Sequence, residues 1–281
     1  MSTFDTPQPI SVSLEVVVGD VTIAASERGD TVVEVRPADP AEKADVTAAR
    51  QTLVECAGGL LTVKAPKSWR QWTPWGEYGS IAVRIELPSG SQVRGATSVG
   101  SLRCSGSIGE CHFRTGVGDI QLEEAGPLEL KSGTGKVNVD RAIGRSQITT
   151  AGAVRIGRAE GPLVVRNRNG DTWLGEVAGE TEVTAANGAI AIEAAHTSVS
   201  AKSANGDVRV GEVAGGTVVA QSSLGAVEVG VRDGVAAWLD LETKFGTVEN
   251  ELAAAQRPGP GEEAVEIRAR TSMGRIAIHR S

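Results

Sequence analysis

The chain has 281 residues, with 28 Lys and Arg against 35 Asp and Glu and a net charge of −7. That balance, without a long run of one sign, argues against a nucleic-acid backbone binder, which needs a basic stripe. Aromatic residues make up 3% of the chain and glycines number 35, so Val, Ile, Leu and Ala must fill the interior.

The opening segment, Met1-Ser-Thr-Phe-Asp-Thr-Pro-Gln-Pro9, has no basic stretch leading into an apolar one and does not read as a secretory signal. No run of 18 apolar residues is present to span a bilayer as a helix. Cys56, Cys104 and Cys111 do not make a paired framework, and the expected setting is the cytoplasm. Strand-like alternation covers Val12 to Val18, Val21 to Ala25, Val32 to Val35, Leu60 to Val63 and Ile81 to Leu87. The stretch from Asp39 to Arg50 is compatible with a helix covering a first coil. Residues 1–95 are therefore expected to form an irregular N-terminal β cap.

One part of that cap departs from the strand pattern. Trp69, Trp72, Trp75 and Tyr78 fall within ten positions beside Lys64, Lys67 and Arg70, and Pro74, Gly76 and Gly79 make the segment a loop. Exposed, Trp69, Arg70, Trp72, Trp75 and Tyr78 could stack on a sugar ring or anchor a protein partner; buried, they would form a lid on the first coil.

From Val99 onward one phrase recurs: glycine, polar, aliphatic, polar, aliphatic. It starts at Gly100, Gly118, Gly135, Gly152, Gly170, Gly188, Gly206, Gly225, Gly246 and Gly274, after an early copy at Gly19. The spacings are 18, 17, 17, 18, 18, 18, 19, 21 and 28 residues. A unit this small cannot bury a core alone and must stack on its neighbours. A second short strand follows in most coils, as at Leu128/Leu130, Leu163/Val165 and Val218/Ala220. The predicted fold is all-β: a single β-solenoid with about 18 residues per coil over residues 96–281, continuous with the cap. Gly126, Gly144, Gly161, Gly179 and Gly215 recur at the second corner, where positive φ is expected, and His196 is expected to take the left-handed region in the Gly188 coil. Asn169, Asn187 and Asn205 precede three successive repeat glycines and read as a structural ladder. The stretch Ala253 to Glu263 is a loop by composition, and His279-Arg280 would guard a free edge.

The phrases Thr-Gly-Val-Gly-Asp-Ile-Gln-Leu (115–122), Ala-Asn-Gly-Asp-Val-Arg-Val (204–210) and Ile-Ala-Val-Arg-Ile-Glu-Leu-Pro (81–88) give the chain a resemblance to a known family. It resembles the bacterial "putative adhesin" family of β-strand repeats, in the actinobacterial form without a secretion signal. The resemblance implies a right-handed β-solenoid and supplies no catalytic residues.

A search for chemistry finds little. Asp119, Asp171 and Asp207 share one column three and two coils apart, roughly 14 and 10 Å along the axis. A retaining glycosidase needs about 5 Å. The nine-residue ligand period of a calcium roll is missing, and His112, His196 and His279 stand without partners at metal-ligand spacing. No metal and no cofactor is expected. The sequence thus points to a non-catalytic scaffold or adhesin-like binding module for an unknown protein or glycan. End-to-end self-assembly is the second reading, with a monomer as its opposite, and a glycan-active enzyme is the third.

Overall fold

The computed structural model describes residues 1–66, 79–252 and 264–281. Its described residues are mostly β-strand, with one α-helix, Lys43–Gln51. The chain divides into two compact units, residues 1–138 and 139–281. Each is a β-solenoid. Every regular coil has one strand before the repeat glycine and one after it, and both pair in parallel with the same strands of the next coil.

In the second unit the pattern is clearest at Leu163–Asn169, Gly170 and Thr172–Val177. The first strand pairs in register with Thr181–Asn187 and the second with Ile190–Ala195. Leu163, Val165, Leu174 and Val177 point inward and are at most 1% exposed. Burying such a side chain stabilises by about 1.5–3 kcal/mol. A lone coil obtains none of it, which is why period-2 alternation at an 18-residue spacing specifies a stack.

Crowding along that stack explains both glycine columns, in different ways. Gly206 has φ +147°, and a Cβ there would overlap the Gly188 carbonyl oxygen. At the second corner Gly161 and Gly179 do not have positive φ, contrary to expectation. They are glycine because a Cβ would strike the backbone of the preceding coil, Gly144 for Gly161 and Gly161 for Gly179. The reading of His196 as left-handed also fails: among the described residues no non-glycine has positive φ.

In the first unit the early strands at Val12 and Val21 are one strand, Ser11–Ser26. It is not the outermost layer. Its first half lies between Leu60–Lys64 and Gln92–Val99, and its second half between Ile81–Pro88 and Leu102–Ile108. Outside these, Leu53–Ala57 pairs antiparallel with Leu60–Lys64, Asp30–Pro37 with Ile81–Pro88, and Ser2–Asp5 with Asp30–Pro37. The helix begins inside the stretch expected from sequence, Asp39 to Arg50, and ends one residue beyond it. Buried Asp45 fastens it, accepting from the backbone N–H of Asp39 at 2.9 Å and of Ser80 at 2.7 Å.

The second unit repeats this device at the other end of the sequence. The final strands Ala264–Met273 and Ile276–Arg280 are inserted one layer in. They pair on one side with Gly216–Leu224 and Val227–Val231, and on the other with Ala236–Phe245 and Val248–Asn250. His279 and Arg280 therefore do not guard an edge. Arg280 Nη1 donates to the carbonyls of Arg232 and Val235, both at 2.9 Å. Insertion also accounts for the 28-residue final spacing, because the last coil must return past the one before it.

Candidate functional site

The columns of polar side chains along each stack are held by hydrogen bonds to backbone. Asp20 accepts from the N–H of Ser101 at 2.8 Å, and Asp119 from Lys136 at 2.7 Å. Asp171 accepts from Ala189 at 2.9 Å, and Asp207 from Ala226 at 2.7 Å. Each carboxylate thus ties the residue after one glycine to the same place in the next coil. Asn187 Nδ2 donates to Asn169 Oδ1 at 3.0 Å, and Asn205 stands in register with Asn187.

A second column escaped the sequence reading. Three residues before most repeat glycines stands a buried hydroxyl, and it bonds the glycine carbonyl of the neighbouring coil. Thr115 reaches Gly100 at 3.0 Å, Ser203 reaches Gly188 at 3.0 Å and Ser222 reaches Gly206 at 2.8 Å. Thr271 reaches Gly225 at 2.9 Å, which follows the order of the layers rather than of the sequence. Where the column carries Ala185, Asn167 Nδ2 takes the Gly170 carbonyl instead, at 2.7 Å. The signal was present as Thr/Ser-x-x-Gly, three residues upstream of the phrase.

The histidines are not isolated, as sequence spacing had suggested. In the first unit His112 bridges Glu110 at 2.6 Å and Glu129 at 3.1 Å. Arg94 flanks Glu110, and Lys131 contacts Glu129 at 2.6 Å. The hydrogen bonds from His112 and then Arg94 hold the Glu110 carboxyl below its ordinary value. Lys131 first, then His112, does the same for Glu129. In the second unit His196 pairs with Glu176 at 2.9 Å, next to Arg158, and His279 with Glu228 at 3.2 Å. The partners on adjacent coils are 17 residues apart for His112 and Glu129, 20 for His196 and Glu176 and 51 for His279 and Glu228, spacings that local motif reading passes over. Solvated pairs of this kind contribute about 0–1 kcal/mol each. Among the described residues no group of His, Cys, Asp or Glu has a metal-binding arrangement.

Trp69, Arg70, Trp72, Trp75 and Tyr78, the candidate binding loop, lie outside the described residues. A different tryptophan is described. Trp173 carries the Arg155 guanidinium 3.8 Å from its ring centroid, and its indole N–H donates to Glu193 at 2.9 Å. Its edge lies against Gly175, where a Cβ would come within 3.1 Å. The ring covers an outward-facing glycine and already holds a cation on one face, so it offers a poor platform for a sugar.

The thiols differ sharply in environment. Burial pushes Cys111 up to about 12 and raises Cys104 well above its ordinary value, whereas Cys56 is half-buried on the outermost strand of its sheet. Native protein treated with an aromatic disulfide reagent at pH 8 is expected to release one equivalent quickly, from Cys56, with the other two reacting only in denaturant. Two fast equivalents would contradict the packing.

The outer face of the pre-glycine strands in the second unit carries two adjoining depressions. One, of about 640 Å³, lies over Gln147, Val164, Glu182, Ser200 and Val219. The other, of about 560 Å³, has small residues such as Ala204, Ser223 and Ser272 as its floor, with Gln221, Arg270 and Lys244 around them. Lys202 lines both. Arg270 is engaged by Asp240 at 3.3 Å and Glu242 at 3.7 Å. Among the described residues, Lys202 and Lys244 have no carboxylate partner. Their ammonium groups, with the Ser223, Ser272 and Gln221 side chains between them, can bind anionic and hydrogen-bonding groups along an extended ligand.

No helix among the described residues is long and apolar enough to cross a membrane. No curated protein matches the chain. Solved structures similar to it include a "putative adhesin" from Bacteroides fragilis, 13% identical, with 99% of this chain and 95% of that one covered and a TM-score of 0.41. A "putative adhesin" from Parabacteroides merdae is 10% identical, with 98% and 94% covered and a TM-score of 0.36. A "putative lipid binding protein" from Parabacteroides distasonis is 12% identical, with 100% and 95% covered and a TM-score of 0.24. The glycine-cornered coils, the family profile matching residues 10–256 and the all-β architecture agree: the chain belongs to the Toastrack DUF4097 family.

Proposed function

We propose that the protein is a non-catalytic binding scaffold, and that its docking surface is the outer face of the pre-glycine strands in the second unit. The ligand is an extended acidic protein segment. The observation that carries this reading is the pair Lys202 and Lys244, without a carboxylate partner among the described residues and set in a depression with a small-residue floor on a protein whose net charge is −7. A glycan is less well served, because among the described residues no aromatic ring lines either depression. The columns that could suggest hydrolytic chemistry support the same reading, since Asp119, Asp171 and Asp207 each accept a backbone N–H of the next coil. Three unpaired thiols suit a reducing, cytoplasmic setting, which cell fractionation tests.

Fluorescein-labelled oligoglutamate and oligogalacturonate titrated in low salt separate the ligands. Oligoglutamate is expected to bind, and Lys202→Glu with Lys244→Glu to weaken it on the order of tenfold or more, with a steep salt dependence. Equal binding by the double variant, or preference for the uronate, would overturn the assignment.

A further inference from the structure

The inserted final coil leaves Ala236–Phe245 and Val248–Asn250 as the outermost layer of the second unit. Among the described residues no strand pairs with their outer edge. Among the described residues no layer covers the core here. Ala237, Leu239 and Leu241 point inward, yet they are only half-buried, while Val265, Ile267 and Ala269 beneath them are at most 1% exposed. Trp238 is 60% exposed, Phe245 71%, and Met273 beside Phe245 55%. The strand has ten residues and no proline, and its charges, Asp240, Glu242 and Lys244, alternate with the inward positions and lie on the outer face, so no charge points into the open side of the core. The first unit, by contrast, ends in antiparallel strands beyond its parallel layers.

The geometry points to a second copy of this chain as the occupant, with the two Ala236–Phe245 strands paired antiparallel about a two-fold axis at Leu241. The strand is self-complementary in that register. Opposite residues in an antiparallel pair share a face, so Leu241 meets Leu241, Leu239 meets Thr243 and Ala237 meets Phe245. On the outer face Trp238 meets Lys244, a cation with no carboxylate partner among the described residues, over an exposed indole. The like-charged match, Asp240 with Glu242, is partly offset because Arg270 of each copy contacts both carboxylates. The same axis closes the assembly at two copies, so it is a dimer and not the filament that head-to-tail stacking would make. It covers the half-exposed leucines, and because it shares Lys244 with the proposed ligand surface it is tested at Trp238 and Leu241, which line neither depression.

Light scattering across a hundredfold concentration range tests it. The expected result is a dimer of twice 29.0 kDa that dissociates on dilution. Trp238→Glu, at an exposed position, is expected to raise the dimer dissociation constant on the order of 30-fold or more with an unchanged melting curve. In a Cys56→Ser background, Leu241→Cys is expected to oxidise to a covalent dimer, because only a residue on the axis meets its own copy. A concentration-independent monomer overturns the proposal. So does a dimer that Trp238→Glu leaves intact and Leu241→Cys fails to cross-link.

Discussion

Gly206→Ala is expected to lower the melting temperature by about 6–12 °C, whereas Gly215→Ala leaves it nearly unchanged. At Gly206 φ is +147°, and a Cβ would overlap the carbonyl oxygen of Gly188 on the next coil. Holding a non-glycine residue in that region costs about 1–3 kcal/mol. The overlap adds to this, because the obstacle is backbone and cannot rotate away. A total near 3 kcal/mol, at about 2–4 °C per kcal/mol for a chain of this size, gives the stated range. Gly215 has no atom within 4 Å of a built Cβ and no positive φ, so alanine there meets open space. Differential scanning calorimetry of the two variants decides the matter. Equal shifts would mean that repeat glycines are not selected by the corner.

The second large effect is expected at Phe113. It is fully buried, and among the described residues of the first unit it is the largest such side chain. Phe113→Ala should cost about 3–5 kcal/mol, the usual range for emptying an aromatic site that cannot collapse. The neighbouring layer explains why the site exists. Gly95 stands in register with Phe113, and a Cβ at Gly95 would lie 3.2 Å from the ring and 2.7 Å from the Leu14 Cβ. Gly95→Ala should therefore destabilise by about 1–3 kcal/mol through overpacking. Gly95→Ala combined with Phe113→Leu should recover part of that loss. Strict additivity in chemical denaturation would show that the two residues do not share the space.

The solenoid was legible in the sequence because one signal, period-2 alternation after a glycine, repeats ten times. Leu102, Ile120, Val137 and Val208 are all buried as that signal requires. What it could not carry was the order of layers. Gly274 resembles every other copy, and only the pairing of Ala264–Met273 with both Gly216–Leu224 and Ala236–Phe245 shows that its coil lies inside. The histidine–glutamate pairs were hidden for a related reason: their partners meet across coils, so His196 finds Glu176 twenty residues upstream. The hydroxyl column was missed because attention stayed on the residues after the glycine. Thr115, Ser203 and Thr271 lie before it, on strands read only for their aliphatic residues. The candidate surface carries the weakest signal of all. Lys202 and Lys244 become neighbours of one depression only through a layer order that the sequence does not display.

The inserted end strands also constrain how the chain can reach its native state. Ser11–Ser26 is synthesised before the strands that flank it, yet it completes its pairing only when residues as distant as Arg103 and Cys104 are available. At the other terminus, Ala236–Phe245 cannot take its place until Ala264–Met273 has entered beneath it. A chain leaving the ribosome can zip its middle coils in order, since each docks on the one before. Both sets of strands must wait, the first for about eighty further residues and the other for residues 264–281. Removing the final 18 residues would take out an inner layer rather than trim an end.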